Sequence, residues 1–159
     1  MSDGSHLHGA AIQDFYPEDV AVCFGCGRLN EHGHHVRSFW DGEQATATFR
    51  PEPFHEAITG IVYGGLLASL LDCHTVGTGA AALYAAAGRP LGSAPAVRCV
   101  TGRLEVDFLA PTPLGPVLQL RAWPVEVGAR KVVVEGELTA DDVVTVRCRT
   151  IAVRLPDRS

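Results

Sequence analysis

Residues 61–87 constrain the fold more than any other part of this chain. They hold one carboxylate, Asp72, and one imidazole, His74. The remainder is an almost unbroken series of leucine, alanine, glycine and small hydroxylated residues. A stretch this long and apolar suits a membrane span by length alone. Two polar groups at its middle, with many glycines and alanines, argue instead for the buried central helix of a soluble domain. The pattern predicts a helix over residues 62–87, loosened near Gly77 and Gly79 and stopped by Gly88-Arg89-Pro90. So apolar a helix needs cover on most sides, and the rest of the chain has to supply it.

That remainder reads as strands with a period of two. Residues 35–40 and 43–50 form a hairpin across Asp41-Gly42, a strong turn pair, closed by Pro51 and Pro53. In residues 103–108 apolar and charged side chains alternate strictly, as in a strand with one wet face. Residues 117–127 follow a Pro111-Thr112-Pro113-Leu114-Gly115 turn and contain Pro124, which predicts a bulge or exposed edge. Residues 130–139 place Val132, Val134, Gly136 and Leu138 on one side, and residues 143–155 form the last strand. Strands and helices do not alternate, so a doubly wound sheet is disfavoured, and short turns favour antiparallel neighbours. One helix can serve about six strands only if the sheet curls around it. Ala68, Gly77, Gly79, Ala80, Ala81 and Ala82 would allow that approach. The expected class is α+β, a curved antiparallel sheet around one long central helix. Residues 1–13 are expected as a flexible tail, and residues 14–159 as a single domain with an irregular opening segment at 14–33.

On a helical wheel Leu67, Leu70, Leu71 and His74 share one side, and Ala68, Asp72, Thr75 and Gly79 another. A carboxylate in such surroundings is costly unless it has partners or work. Gly64 and Gly65 open the helix and leave bare N–H groups at its positive end. Asp72 and these amides thus offer an acid/base group and a carbonyl-polarising group on one rigid element. The structural alternative is a buried Asp72 satisfied by backbone or by a partner chain. Thr75 lies close enough to bond an intermediate or Asp72. His74 lies nearly opposite Asp72 and reads as a satisfied core histidine.

The charge of -5 is scattered without a basic stripe, so nucleic acid is not expected as a partner. The opening residues lack the basic-then-apolar order of a signal peptide, and membrane association is not expected. Cys23, Cys26, Cys73, Cys99 and Cys148 are odd in number and read as reduced, which implies a cytoplasmic setting. Cys23 and Cys26 have zinc-knuckle spacing and His32, His34 and His35 follow. A second Cys-x-x-Cys is absent and the histidine spacing is irregular, so no metal is expected.

The Gly64-Gly65 pair, the following six residues and Asp72 resemble the helix motif of the hotdog-fold acyl-CoA thioesterases. The strand from Val100-Thr101-Gly102 to Phe108, the Pro-x-Pro-x-Gly turn, and the Cys23-Phe24-Gly25-Cys26-Gly27 opening extend the likeness to the phenylacetate-pathway (PaaI-like) branch. The resemblance implies a homodimer, or a dimer of dimers, with sheets joined edge to edge and an acyl-CoA thioester at the seam. It implies that Asp72 is the catalytic base or nucleophile, that the Gly64 N–H (with Gly65 beside it) polarises the carbonyl, and that Thr75 supports. Pantetheine would run along Val100, Thr101 and Gly102, with phosphates near Arg130 and Lys131. Coenzyme A would belong to the substrate, with no separate cofactor. Tyr63 stands where the family motif usually has histidine, and Ala57 where relatives often carry glycine or a polar residue, with His55 nearby. These departures keep open a non-catalytic acyl-CoA-binding or structural hotdog protein. A dehydratase is a further alternative, one that would want a histidine presented with the carboxylate.

Overall fold

The computed structural model of the protein describes residues 9–158. Its strands are β1 (Phe39–Trp40), β2 (Ala45–Phe49), β3 (Cys99–Phe108), β4 (Leu118–Val127), β5 (Lys131–Ala140) and β6 (Val143–Arg154). One helix, α1 (Gly64–Ala86), separates β2 from β3, and a 3-10 turn, Ile12–Phe15, precedes them. The strands form one antiparallel sheet in the order β1-β2-β4-β5-β6-β3, with α1 against β3, β4, β5 and β6. This is the α+β hotdog arrangement, a six-stranded sheet around a long central helix.

The strand alternation places the core. Leu118, Leu120 and Ala122 of β4, Val132, Val134 and Leu138 of β5, and Val146 and Ala152 of β6 are buried under α1. From the helix Leu67, Leu70 and Leu71 pack with Leu118, Leu120, Leu138 and Val146, and Ala80, Ala82, Leu83 and Tyr84 with Ala122, Val132, Val134 and Ala152. Each such aliphatic contributes about 1.5–3 kcal/mol by leaving water. The helix runs without a break through Gly77 and Gly79, where loosening was expected. These glycines serve close packing instead: a methyl at Gly79 would sit 2.8 Å from the Ala152 Cβ of β6. Most of the apolar length of α1 is buried, by the sheet and by the opening segment, where Ile12, Gln13 and Tyr16 approach Gly77.

Other boundaries depart from expectation. Only Phe39–Trp40 pairs in the first hairpin arm, because His35 adopts a left-handed φ of 53° and the Val36 N–H bonds to the Gly25 carbonyl. β3 begins at Cys99, earlier than the alternation suggests, since the register with β6 shifts between Thr101 and Arg103. That bulge lets Thr101 and Leu104, three positions apart, both face the helix. Pro124 does accompany a register shift with β5, and it lies beyond the part of β4 that pairs with β2. Within the stretch expected as a tail, residues 1–8 lie outside the described residues. Ala11, Ile12 and Gln13 are buried, with Gln13 Nε2 donating to Ser38 Oγ at 3.1 Å.

Candidate active site

Two turns into α1, Asp72 reaches the edge of the helix–sheet contact, where β3 passes. It is half-buried, and its Oδ1 accepts a hydrogen bond of 2.6 Å from the Thr101 hydroxyl. Burial pushes the carboxyl pKa above its ordinary value, the Thr101 bond pulls it partly back, and the neighbouring Cys23 sulfur raises it further. Thr101 can reach because the bulge turns its side chain inward; the sheet therefore holds the carboxylate in one orientation. Thr101 sits among the strand residues that resemblance had linked to pantetheine, but its bond to Asp72 was not foreseen.

Asp72 lines an open cleft of about 460 Å³. Tyr16, Cys23 and Cys73 form one wall, with Val100 and Thr101 on another. At the mouth Arg98 and Arg158 both contact the Asp19 carboxylate, at 3.1 and 3.2 Å. Arg98 and Tyr16 carry no local sequence signal, since only tertiary folding, of the residues leading into β3 for Arg98 and of the opening segment for Tyr16, brings them to the cleft. Arg130 and Lys131 lie outside the cleft, at the β4–β5 turn. Lys131 pairs with Val153, which pairs with Val100, so it stands two strands away, about 10 Å.

At the start of α1 no side chain caps the helix. The Leu66 and Leu67 N–H groups turn back to the Tyr63 carbonyl, which leaves the amides of Gly64 and Gly65 as the ones with no acceptor inside the helix. The Tyr63 ring folds over Gly65, where a methyl would lie 2.6 Å from it. The preceding loop is clamped: Tyr63 N–H donates to the His55 carbonyl and Val62 N–H to that of Thr112. The His55 ring is occupied locally, its Nδ1 accepting from the Glu52 N–H at 2.9 Å. Ala57 is exposed on this loop. Along the helix Gly64 and Asp72 are eight residues, about 12 Å, apart. One chain therefore cannot bring both to the same carbonyl.

Thr75 is sealed under the sheet. Its hydroxyl donates to the Leu71 carbonyl at 2.7 Å, shares a 2.7 Å bond with Thr150 Oγ1, and approaches Asp72 only at the backbone carbonyl, 3.2 Å away. His74 is buried as expected for a core histidine. Ser38 Oγ lies 2.7 Å from Nδ1 and the Ala45 carbonyl 3.1 Å from Nε2, and burial lowers the imidazole pKa to about 4. The ring is thus neutral near pH 7 and faces away from the cleft.

Three thiols meet beside Asp72. The Sγ atoms of Cys23, Cys26 and Cys73 lie within 4.8 Å of one another. Hydrogen bonds from the Cys26 and Cys73 thiols hold the Cys23 pKa well below the ordinary thiol range, and the Cys73 thiol's bonds to Cys23 and then Cys26 push Cys73 up.

The profile of the Thioesterase superfamily matches residues 59–147, more than half of the chain. The chain belongs to the thioesterase superfamily. The matched region contains both the bare helix start and Asp72, and membership supports a thioesterase-type enzymatic role. Among solved structures, a thioesterase superfamily protein from Shewanella loihica PV-4 is 48% identical, covering 79% of this chain and 96% of its own, with a TM-score of 0.61. The E. coli PaaI protein from the phenylacetic acid degradation operon shares the fold at 19% identity and a TM-score of 0.57, over 78% of this chain and 82% of its own. Over 94 residues the chain is 30% identical to the acyl-coenzyme A thioesterase THEM4 of Xenopus laevis. That match covers 59% of this chain and 36% of the relative, so the chain spans about a third of that protein's length.

Proposed function

We propose that this protein hydrolyses acyl-CoA thioesters to the free acid and coenzyme A, as a PaaI-like member of the superfamily acting as a homodimer. The observation that carries the reading is the Asp72 carboxylate, half-buried at an open cleft and fastened by Thr101. A partner's helix start supplies the other half. The acyl carbonyl oxygen would lie about 3 Å from a Gly64 N–H, with Gly65 beside it, where the helix end favours the negative charge that grows in the transition state. Asp72 of the facing subunit takes a proton from water as the water oxygen attacks the carbonyl carbon. Collapse of the tetrahedral intermediate breaks the C–S bond, and the coenzyme A thiolate leaves. Direct attack by the carboxylate is the nucleophilic variant, with water then cleaving the anhydride.

The dimer reading is supported by β3, a ten-residue edge strand with exposed Val100 and Phe108. Such an edge invites pairing with another chain. Pantetheine would run along Val100, Thr101 and Gly102, with its phosphates extending toward Arg130 and Lys131 at the β4–β5 turn, about 10 Å away across β6. Thr75 supports by anchoring the Asp72 turn of the helix to β6, not by touching substrate. Purified protein should turn over members of a panel of aryl and medium-chain acyl-CoAs. Asp72→Ala should lower kcat by about 10²–10⁴ with the dimer retained in sedimentation. Wild-type turnover in that variant would remove Asp72 from the mechanism. Binding of acyl-CoA without turnover by the unaltered protein would favour the non-catalytic reading, to which Tyr63 in place of the motif histidine points.

A further inference from the structure

We propose that Cys23, Cys26 and Cys73 form a metal site that takes Zn²⁺ as three thiolates, with a fourth position open to the cleft. Neither the fold nor the hydrolytic reading requires it. The spacing argues for it. Thiolates at about 2.3 Å from a tetrahedral Zn²⁺ stand about 3.8 Å apart. Cys23 and Cys73 Sγ are 3.8 Å apart already, and no pair in the cluster exceeds 4.8 Å. Binding thus needs a closing movement of about 1 Å at most. A disulfide between Cys23 and Cys73 would need an approach of nearly 2 Å, to about 2.05 Å.

The loop is built to admit the third sulfur. A methyl at Gly25 would stand 2.2 Å from Cys73 Sγ, so only glycine lets the helix thiol into the Cys23–Cys26 turn. A methyl at Gly27 would strike the Ala21 carbonyl and the Cys23 nitrogen. The turn is closed by Gly27 N–H to the Cys23 carbonyl at 2.8 Å. The nearby histidines are engaged elsewhere. His35 Nε2 lies 2.5 Å from the Asn30 carbonyl, and the His34 ring packs on Phe24 and Phe49. The donor set is therefore all sulfur, which selects Zn²⁺ over hard cations. Three protein ligands with an open fourth position is the form that accepts water or a small ligand. Loading releases to solvent the protons of those thiols that are still protonated and needs no oxidant.

Protein purified without a histidine tag, kept reduced and exchanged against Zn²⁺, should retain about one ion per chain by elemental mass spectrometry. Cys23→Ser, Cys26→Ser and Cys73→Ser should each lose it, whereas Cys148→Ser should keep it. Zn²⁺ should also protect three thiols from alkylation. Should a substitution disturb folding, Co²⁺ added to the unaltered protein decides the matter through sulfur-to-cobalt charge-transfer absorption with tetrahedral d–d bands. A Zn²⁺ content far below one per chain with all three thiols open to alkylation, or Co²⁺ spectra lacking thiolate bands, would overturn the proposal.

Discussion

Asp72 depends on one hydroxyl. Thr101 fixes its carboxylate through a 2.6 Å bond to Oδ1, and nothing else among the described side chains donates to it. A hydrogen bond to a charged group contributes about 1.5–3 kcal/mol. Under the proposed mechanism Thr101→Val should lower kcat about tenfold or more while KM changes less, and Thr101→Ser should restore most of the rate. Equal loss in both variants would mark Thr101 as a packing residue. A second carboxylate, Asp41, shows how a single side chain holds a turn. Its Oδ1 accepts from the N–H groups of Glu43 and Gln44, both at 2.8 Å, and those bonds, Gln44 foremost, hold its pKa below the ordinary 3.8. A depressed carboxyl stabilises the fold above its ordinary pKa and ceases to do so as pH falls through the depressed value. At neutral pH Asp41→Ala should therefore cost up to about 1 kcal/mol, reduced by solvent exposure. Below about pH 4 the difference from the unaltered protein should shrink in denaturant titrations. A difference independent of pH would locate the effect elsewhere.

At the scale of elements, helix and sheet meet too closely at Gly79 for any other residue. Ala152 Cβ lies 2.8 Å from where a methyl would be, with Val132 and Val134 at 3.6 Å. Gly79→Ala would gain up to about 1 kcal/mol of helix propensity, but overpacking a rigid core costs about 1–3 kcal/mol. The net prediction is a lowered Tm, read by calorimetry; a raised Tm would mean that the helix moves off the sheet freely. The legibility of these elements follows from their periods. The helix could be read because its apolar run is far longer than a strand, and β5 because Val132, Val134 and Leu138 alternate with polar neighbours. The Asp41-Gly42 turn was equally plain. The β3 bulge at Gly102 was not, because a parity change interrupts the alternation that would reveal a strand. With it Thr101 disappeared as a partner of Asp72.

The whole molecule raises the question of a second copy. Gly64 and Asp72 are too far apart on one rigid helix to share a carbonyl, so the proposed chemistry needs two chains. Gly64→Pro isolates the amide: proline is tolerated at the first helical position, and Tyr63, at φ -59° and ψ 124°, already has the extended backbone that precedes proline. That variant should fold and lose about 10²–10³ in kcat. Mixing it with Asp72→Ala and allowing subunits to exchange should restore activity toward about a quarter of the unaltered level, since half the dimers then hold one complete site. No recovery after demonstrated exchange would show that amide and carboxylate act within one chain or not together.

By itself the sequence determined what local spacing can encode: a single long buried helix, strands that alternate, their turns, and an acid placed off the leucine stripe. Periodicity carries that information because a side chain's direction follows from its neighbours along the chain. Tertiary structure alone decided which distant groups meet. Cys73 joins Cys23 and Cys26, Thr101 turns in to Asp72, and Arg98 and Arg158 share Asp19 because the sheet closes on the helix at one register and the opening loop folds onto its side. Those contacts are fixed by long-range packing, and no short window of residues records them.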